Sequence, residues 1–475
     1  MASYKLILLI IIPLIGAFLT ALAKYDRNYA RSNVCYISRW TLASNVALIL
    51  YIFSNMDIEK NSIQIVEKYE WMTFPKIDVL LGTDLFSMLL VLGINLSFLI
   101  ASLCINKKEE KIKPLLATQL LFIGLINGYI LAADIVSFYI FFAAISVPLI
   151  IIISILGRSD KRNSLIRFSL YNLIGIIFLL ISIIMIYCYK ESNIPLNTAG
   201  NLNIKGPLEY FIWGSLFLAF ISRIPIWPFH YWIASVNSNL RSPLVFSVGN
   251  LMPLVGLYGF MRFWPNTVPQ TIAVYAPYFE AICVITMIFI AVISLTSKEI
   301  RYKLFAYTTV YYLLYLIGIF LPTSGLKMNI GYSLFTYIII ITALSFLIGH
   351  IEFEKRRLKI YSSSSILCYM PRTSLCLSLF VLSGIGLPVT SLFWNNFIII
   401  SEIFNYNLVL GILTMLSIFI VGVALLEELY NMKDKYNNMS SQTDIRDLSR
   451  FNFFIYIGCI VILFIAFLKP LWFVM

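Results

Sequence analysis

The chain has 475 residues, of which 60% are hydrophobic and only 12% charged, and its mean hydropathy is +0.88. Soluble domains carry about 25% charged residues, so this composition excludes a soluble globular protein and predicts an integral membrane protein in a lipid bilayer. The net charge of +12 would suggest nucleic acid binding in a soluble protein. In a membrane protein it is typical of cytoplasmic loops, which collect Lys and Arg, and we expect no nucleic acid partner.

The first apolar run has features of both a signal peptide and a transmembrane helix. Residues 1–23 combine a lysine, an apolar run and Ala21-Leu22-Ala23, as a signal peptide would. The basic residues Lys24, Arg27 and Arg31 follow directly, and such a cluster resists export. We therefore predict a first transmembrane helix.

The seven cysteines form no Cys-x-x-Cys motif, and most of them lie in apolar runs. Free cysteines in such surroundings behave as small hydrophobic side chains. We expect neither a metal site nor a disulfide.

Apolar segments long enough to cross a bilayer recur along the whole chain. In order they are 5–23, 39–55, 82–105, 114–132, 135–156, 167–188, 208–232, 243–262, 272–296, 303–321, 329–351, 373–401, 406–426 and 451–474. The longest polar gap between them, 56–81, is too short for a domain. The sequence thus predicts an all-α polytopic membrane protein with about fourteen transmembrane helices, and the segments are called spans one to fourteen below.

The basic residues predict the orientation of these spans. Of the 35 Lys and Arg residues, 25 fall in the odd-numbered loops and nine in the even-numbered loops and the termini, while Arg223 lies inside span seven. Cytoplasmic loops carry the excess of positive charge. We therefore expect the odd loops in the cytoplasm and both termini outside.

Two spans should be interrupted near their middle. Span seven holds Pro225 and Pro228, and span twelve holds Gly386 and Pro388. Proline removes a backbone donor and clashes with the preceding turn. The freed backbone groups must face protein or a wet cavity, and paired breaks of this kind are typical of transporters built from repeated halves. Kinks that only aid packing are the alternative.

Charged groups inside the apolar segments are candidates for function, because burying a charge in the bilayer is unfavourable. Arg223 is the clearest case, and His230 follows it at seven residues, on nearly the same face of a continuous helix. Asp84, Asp134 and Glu280 lie near predicted span ends, where we favour solvated side chains.

Several motifs resemble the antiporter-like membrane subunits of respiratory complex I and the related Mrp cation/proton antiporters, most of all the M-type complex I subunit. The resemblance extends over nearly the whole chain. The motifs are Val66–Trp71, Gly82–Leu90, Phe141–Pro148, Ile224–Trp232, Tyr258–Phe263 and Gly386–Ser391, of which Ile224–Trp232 is the most specific.

The resemblance implies fourteen helices with two inverted five-helix repeats and both termini outside. On this basis we expect N-terminal helices 1–3 at 1–113, a first repeat of helices 4–8 at 114–262, a second repeat of helices 9–13 at 272–426, and helix 14 at 451–475. The chain ends soon after span fourteen, so the long lateral helix of the L-type subunit is not expected.

The proton-relay residues of the family are largely replaced in this chain. Ala143 stands at the position of the span-five glutamate, and Arg223 at that of the span-seven lysine. Asn396 stands where a glutamate or lysine follows the span-twelve break. The histidines expected in spans ten and eleven correspond to Tyr312 and Tyr337.

Further positions show the same loss. The family's lysine in span eight has no counterpart between Arg241 and Arg262, whereas His230 is retained. Neither Ala143 nor Asn396 can carry a proton, although the Asn396 amide can still hydrogen-bond water. Without a glutamate beside it, Arg223 must find another partner. We keep Arg223, His230 and Asn396 as candidates for a proton path, and Ala143 as a lost relay position.

Three functions compete at this stage. The first is an M-type membrane subunit of a proton-translocating NADH:quinone oxidoreductase, which contributes to or scaffolds proton translocation and is itself non-catalytic. The second is a D-type subunit of a Mrp-like cation/proton antiporter, and the third is a non-conducting structural paralogue. We expect other membrane subunits of such a complex as partners, with NADH, FMN, Fe-S clusters and quinone bound by those partners and no cofactor in this chain. A bacterial inner or plasma membrane is favoured over the mitochondrial inner membrane.

Overall fold

The computed structural model describes residues 4–23, 30–57, 60, 62–72, 77–105, 111–157, 161–190, 207–239, 243–267, 275–297, 299–322, 326–358, 366–433 and 445–468. Part of the charge pattern used to predict the orientation lies outside the described residues. The basic residues concerned are Lys24, Arg27, Lys76, Lys107, Lys108, Arg158, Lys205, Arg241, Lys298, Lys359, Lys435 and Lys469.

Helices dominate the described residues, which also contain a short 3-10 helix at Ile366–Tyr369 and one β-hairpin. The α-helices are α1 (Lys5–Leu22), α2 (Ala30–Ser54), α3 (Leu85–Cys104), α4 (Ile112–Leu131), α5 (Ile135–Ala144), α6 (Ser146–Leu156), α7 (Lys161–Lys190), α8 (Pro207–Ile221), α9 (Tyr231–Asn239), α10 (Pro243–Thr267), α11 (Ala276–Thr296), α12 (Ile300–Phe320), α13 (Leu326–Leu358), α14 (Pro371–Ile385), α15 (Ser391–Tyr406), α16 (Leu408–Lys433) and α17 (Arg450–Leu468).

The prediction of a helical, multi-pass membrane protein is confirmed. By length and composition, ten helices among the described residues can cross a membrane, and α8, α14 and most of α17 are shorter apolar helices. The number of crossings and the inverted repeats stay predictions. Helices α2, α7 and α13 extend beyond spans two, six and eleven, because polar turns at helix ends remain helical although they carry no apolar signal.

Span five, predicted as one helix over 135–156, has a local irregularity. Helix α5 ends at Ala144 and α6 begins at Ser146. Pro148 has no N–H group for the carbonyl of Ala144, four residues earlier, so the regular hydrogen-bond pattern cannot continue there. Ile145, between the two helices, keeps helical dihedral angles, with φ −57° and ψ −24°, and donates to the carbonyl of Phe141 at 3.0 Å. The two helices therefore form one kinked span, and the kink lies directly beside Ala143.

A β-hairpin occupies much of the predicted polar gap 56–81. Strands β1 (Ile65–Met72) and β2 (Ile77–Thr83) pair antiparallel. Glu67 on β1 is buried and accepts the N–H groups of Leu6 at 3.0 Å and Ile7 at 3.2 Å, at the start of α1. The hairpin is therefore anchored to the helix bundle.

The two strands are also joined at the protein surface. The Lys68 ammonium lies 2.8 Å from the Asp78 carboxylate, and the side-chain hydrogen bond to Asp78 raises the pKa of Lys68. The all-α prediction missed this hairpin, because the sequence around its strands carries few of the turn signals that identify a hairpin.

The centre of the bundle is formed by α12 and α13. The apolar window of α12 is 100% buried and that of α13 is 94% buried, whereas only 28% of the α7 window is buried. Since protein rather than lipid surrounds α12 and α13, polar side chains on these two helices face other residues or cavities within the bundle.

A buried asparagine network joins the first four helices. Asn95 on α3 accepts a hydrogen bond from Asn45 on α2 at 2.8 Å and donates to Asn127 on α4 at 2.9 Å. Asn127 also donates to the carbonyl of Leu9 on α1 at 3.0 Å. That carbonyl has no regular helical donor because Pro13 stands four residues later. The network therefore satisfies a proline-freed carbonyl and fixes how the four helices pack.

Candidate functional site

The first interrupted span places Arg223 in the middle of the bundle. Helix α8 ends at Ile221 and α9 begins at Tyr231, so Pro225 and Pro228 lie in the interruption. Gly256 on α10 packs against this segment. A Cβ atom there would lie 2.4 Å from the carbonyl oxygen of Phe220, and only glycine permits this close approach.

Arg223 is completely buried and binds the backbone of span five. Its Nη2 donates to the carbonyl oxygen of Phe142 at 2.9 Å, and its guanidinium carbon lies 4.4 Å from the centre of the Phe142 ring. Nε and Nη1 have no hydrogen-bond partner among the described residues, and no carboxylate there forms an ion pair with Arg223.

The geometry thus identifies the partner that Arg223 needs in the absence of a glutamate. Phe142 immediately precedes Ala143, the lost relay position, and both residues lie at the end of α5, where the span is kinked. A backbone carbonyl and an aromatic face attract a cation, but neither can be protonated. Arg223 itself does not release its proton in proteins. The contact is therefore a fixed one and provides no titrating pair.

His230 is buried, and its Nδ1 has no hydrogen-bond partner among the described residues. Its ring lies 4.2 Å from the ring of Tyr231 and 6.2 Å from that of Phe289 on α11. The spacing of seven residues suggested that His230 and Arg223 share a helical face. That inference fails, because the helix is interrupted between them and its periodicity does not continue.

The second interrupted span is held by tyrosines of α12. Helix α14 ends at Ile385 and α15 begins at Ser391, with Gly386 at a φ of 119° and Pro388 in the turn. The carbonyl oxygen of Gly384 accepts hydrogen bonds from the hydroxyls of Tyr311 at 2.7 Å and Tyr307 at 3.3 Å.

Tyrosine hydroxyls extend this polar region towards both halves of the chain. The Tyr312 hydroxyl donates to the backbone carbonyl of Asn250 on α10 at 3.0 Å. The ring of Tyr337 lies 5.2 Å from Tyr312 and 6.2 Å from Tyr315. The two positions where the family has histidine are thus adjacent in space.

A cavity of about 500 Å³ adjoins this region between α15 and α16. Asn396, Tyr311 and Ser401 provide polar atoms to its wall, and most of the remaining lining is apolar. Its volume is large enough for several water molecules. Among the described residues, no group of three or more His, Cys, Asp or Glu side chains could hold a metal ion.

The carboxylates near the span ends are buried, and the expectation that they are solvated was wrong. Asp84 accepts two hydrogen bonds from Arg262, at 2.7 and 3.0 Å, and Asp134 accepts the N–H group of Leu80 at 2.9 Å. Both residues also cap a helix through the serine three positions later. This Asp-x-x-Ser spacing before an apolar run is a sequence signal for a helix start. For Glu280, which is fully buried, no such signal exists.

The family profile described as NADH:quinone oxidoreductase/Mrp antiporter, TM matches residues 132–421, more than half of the chain. The chain belongs to this family of membrane proteins. The matched range includes both breaks, Arg223 and the tyrosines of α12, so the buried polar region lies within the family's shared segment.

Relatives with similar lengths support this membership. NADH-quinone oxidoreductase subunit M of Rickettsia prowazekii is 28% identical over 432 residues, which cover 89% of this chain and 86% of the relative. NADH-ubiquinone oxidoreductase chain 4 of Acanthamoeba castellanii is 27% identical over 399 residues, which cover 81% of this chain and 76% of the relative.

Solved structures show the same fold. A chain of respiratory complex I from Thermus thermophilus with bound NADH superposes with a TM-score of 0.86 at 18% identity, covering 98% of this chain and 96% of that chain. A chain of the Mrp complex from Dietzia sp. DQ12-45-1b superposes with a TM-score of 0.79 at 14% identity, covering 98% of this chain but only 50% of that chain.

Proposed function

We propose that this chain is an M-type membrane subunit of a proton-translocating NADH:quinone oxidoreductase. The observation that carries the proposal is the similarity to relatives named subunit M or chain 4 over most of both chains. A D-type subunit of a Mrp-like antiporter is less favoured, because the Mrp chain is about twice as long as the part that this chain covers. NADH, FMN, Fe-S clusters and quinone are then bound by partner subunits.

The proposal includes a topology and a location. The charge split of the loops supports a cytoplasmic position for the odd loops and an outer position for both termini. The bacterial relatives support a bacterial inner or plasma membrane. The breaks in spans seven and twelve each fall in the fourth helix of a predicted repeat, which supports inverted repeats at 114–262 and 272–426.

We also propose that the interior of this subunit is a fixed polar scaffold. Arg223 binds a backbone carbonyl, while Tyr311 and Tyr312 bind two more. Among the described residues, no carboxylate forms an ion pair with Arg223. The relay through positions 143 and 396 is therefore inactive in this chain, and the subunit supports proton translocation chiefly by holding its neighbours in place.

Membership of the complex is tested by affinity purification in a mild detergent with identification of every partner. We expect subunits of a quinone oxidoreductase. Recovery with antiporter subunits would support the Mrp function, and recovery of the chain alone would support a structural paralogue outside either complex. Orientation is tested separately, by labelling single cysteines placed at each terminus with a membrane-impermeant thiol reagent.

The inactive relay is tested by reconstituting the purified complex in proteoliposomes, with and without Ala143→Glu plus Asn396→Glu. We expect the unmodified complex to pump fewer protons per electron pair than a complex whose M-type subunit keeps the relay. The paired substitution should raise that number. Full stoichiometry in the unmodified complex would contradict the loss of the relay.

A further inference from the structure

Glu280 lies on the buried face of α11, outside the polar region described above. Its neighbours on that face follow helical spacing, with Ala276 four residues before it and Cys283 and Met287 three and seven residues after it. All four side chains are buried, and Glu280 is 0% exposed. The helix packs mainly against α12 and α16, and because the Glu280 side chain is completely buried, its carboxyl points into protein.

Neither carboxyl oxygen of Glu280 has a hydrogen-bond partner among the described residues. The other buried carboxylates are satisfied. Glu67 accepts two backbone N–H groups and the Tyr69 hydroxyl, and Asp84 is paired with Arg262. Glu280 is unlike these two carboxylates, because no described residue donates a hydrogen bond to its oxygens.

In the part of the chain that the structure describes, no salt bridge brings a positive charge to Glu280. Among the described residues, the titratable groups that interact with it are Cys283 on its own helix and Tyr406 at the end of α15. The basic residues of α12 are Arg301 and Lys303, and both lie at its start, close to the end of α11 at Thr296. At 1.5 Å per residue, that end of α11 is about 24 Å from Glu280 along the helix axis.

The charged residues of α16 are equally distant. Glu427, Glu428 and Lys433 lie near the C-terminal end of α16. Glu280 instead interacts with Tyr406, the last residue of α15, and α16 begins shortly after it at Leu408. Glu280 therefore lies beside the start of α16. An ionised carboxylate in such a site would be buried without compensation, while the protonated form is uncharged and can donate its hydrogen.

We infer that Glu280 is a proton-binding site of this chain, whose carboxyl group holds an exchangeable proton at neutral pH. Binding converts the carboxylate to the acid, and release returns the proton to water at the end of the bundle where α15 ends and α11 begins. This inference concerns a group that the family's lost relay does not include. A role of Glu280 in proton transport rests on the proposed function, whereas proton binding by Glu280 does not.

The test is infrared spectroscopy of the full-length chain in lipid nanodiscs at neutral pH, in H2O and in D2O. We expect a carbonyl band of a protonated carboxylic acid that moves to lower frequency in D2O and is lost in Glu280→Gln. Glu280→Asp should shift the band without removing it. Glu67→Gln is the matched control and should leave the band unchanged, because both Glu67 oxygens already accept hydrogen bonds from backbone N–H groups.

Two outcomes would overturn the inference. One is a wild-type spectrum without the band or with a band that survives in Glu280→Gln, and the other is a band that does not move in D2O. Both readings come from the isolated chain and do not depend on its partners. If the chain proves to belong to another complex, the proposed function is wrong. The infrared spectrum would still show whether Glu280 holds a proton.

Discussion

The ion pair between Asp84 and Arg262 allows a sharp test of what holds α3 and α10 together. Arg262 donates from Nη1 and Nη2 to the two Asp84 oxygens at 2.7 and 3.0 Å, and from Nε to the Tyr258 hydroxyl at 2.7 Å. Asp84 also accepts the N–H group of Ser87 at 2.8 Å, as the cap of α3. The pair joins α3 to α10 across 178 residues of sequence.

Asp84→Asn is the informative change. The amide keeps one oxygen for the Ser87 N–H group, so the cap is largely preserved and the loss of charge is isolated. The side chains of Arg262 and Asp84 are only 10% and 5% exposed, so solvent screens the pair weakly. Removing one partner of a buried pair costs about 3–5 kcal/mol, because the other charge is left uncompensated. We expect about 3 kcal/mol here, since the pair lies at the end of its helices.

The measurement is equilibrium unfolding of the purified chain in mixed micelles, titrated with a denaturing detergent, on a double-mutant cycle. Asp84→Asn and Arg262→Gln should each lower the free energy of unfolding by about 3 kcal/mol. The combined variant should be little less stable than either single variant, because no charge is then left unpaired. Additive losses, or a loss below about 1 kcal/mol for Asp84→Asn, would refute the reasoning.

Three further variants test other contacts. Asn127→Ala removes a link between α1, α3 and α4, and we expect the free energy of unfolding in the same assay to fall by about 1–2 kcal/mol. Glu67→Ala leaves two N–H groups at the start of α1 without their acceptor, so we expect a loss of about 1 kcal/mol and faster hydrogen exchange at those amides, measured by mass spectrometry. Tyr311→Phe removes the hydrogen bond to the Gly384 carbonyl at the interruption of span twelve. We expect the free energy of unfolding to fall by about 1 kcal/mol. An unchanged free energy of unfolding would contradict a role of Tyr311 in stabilising this interruption.

The membrane character of this chain could be predicted from local sequence alone. About 20 consecutive apolar residues suffice to cross a bilayer, so each span is encoded within itself and needs no information about its neighbours. Every predicted segment falls on a helix or a pair of helices among the described residues. Pro225 and Pro228 act on their own turn of helix, and the interruption around them was equally predictable.

Tertiary structure decided the properties that depend on partners distant in sequence. Arg223 binds a carbonyl 81 residues away, and no local pattern specifies that choice. Asp84 and Glu280 both lie near span ends and looked alike in the sequence, yet one is paired with arginine and the other has no partner among the described residues. Burial and pairing arise only when helices pack. The sequence by itself therefore determined which segments enter the membrane, and the packing of those helices determined which of their polar groups are fixed and which remain free to bind a proton.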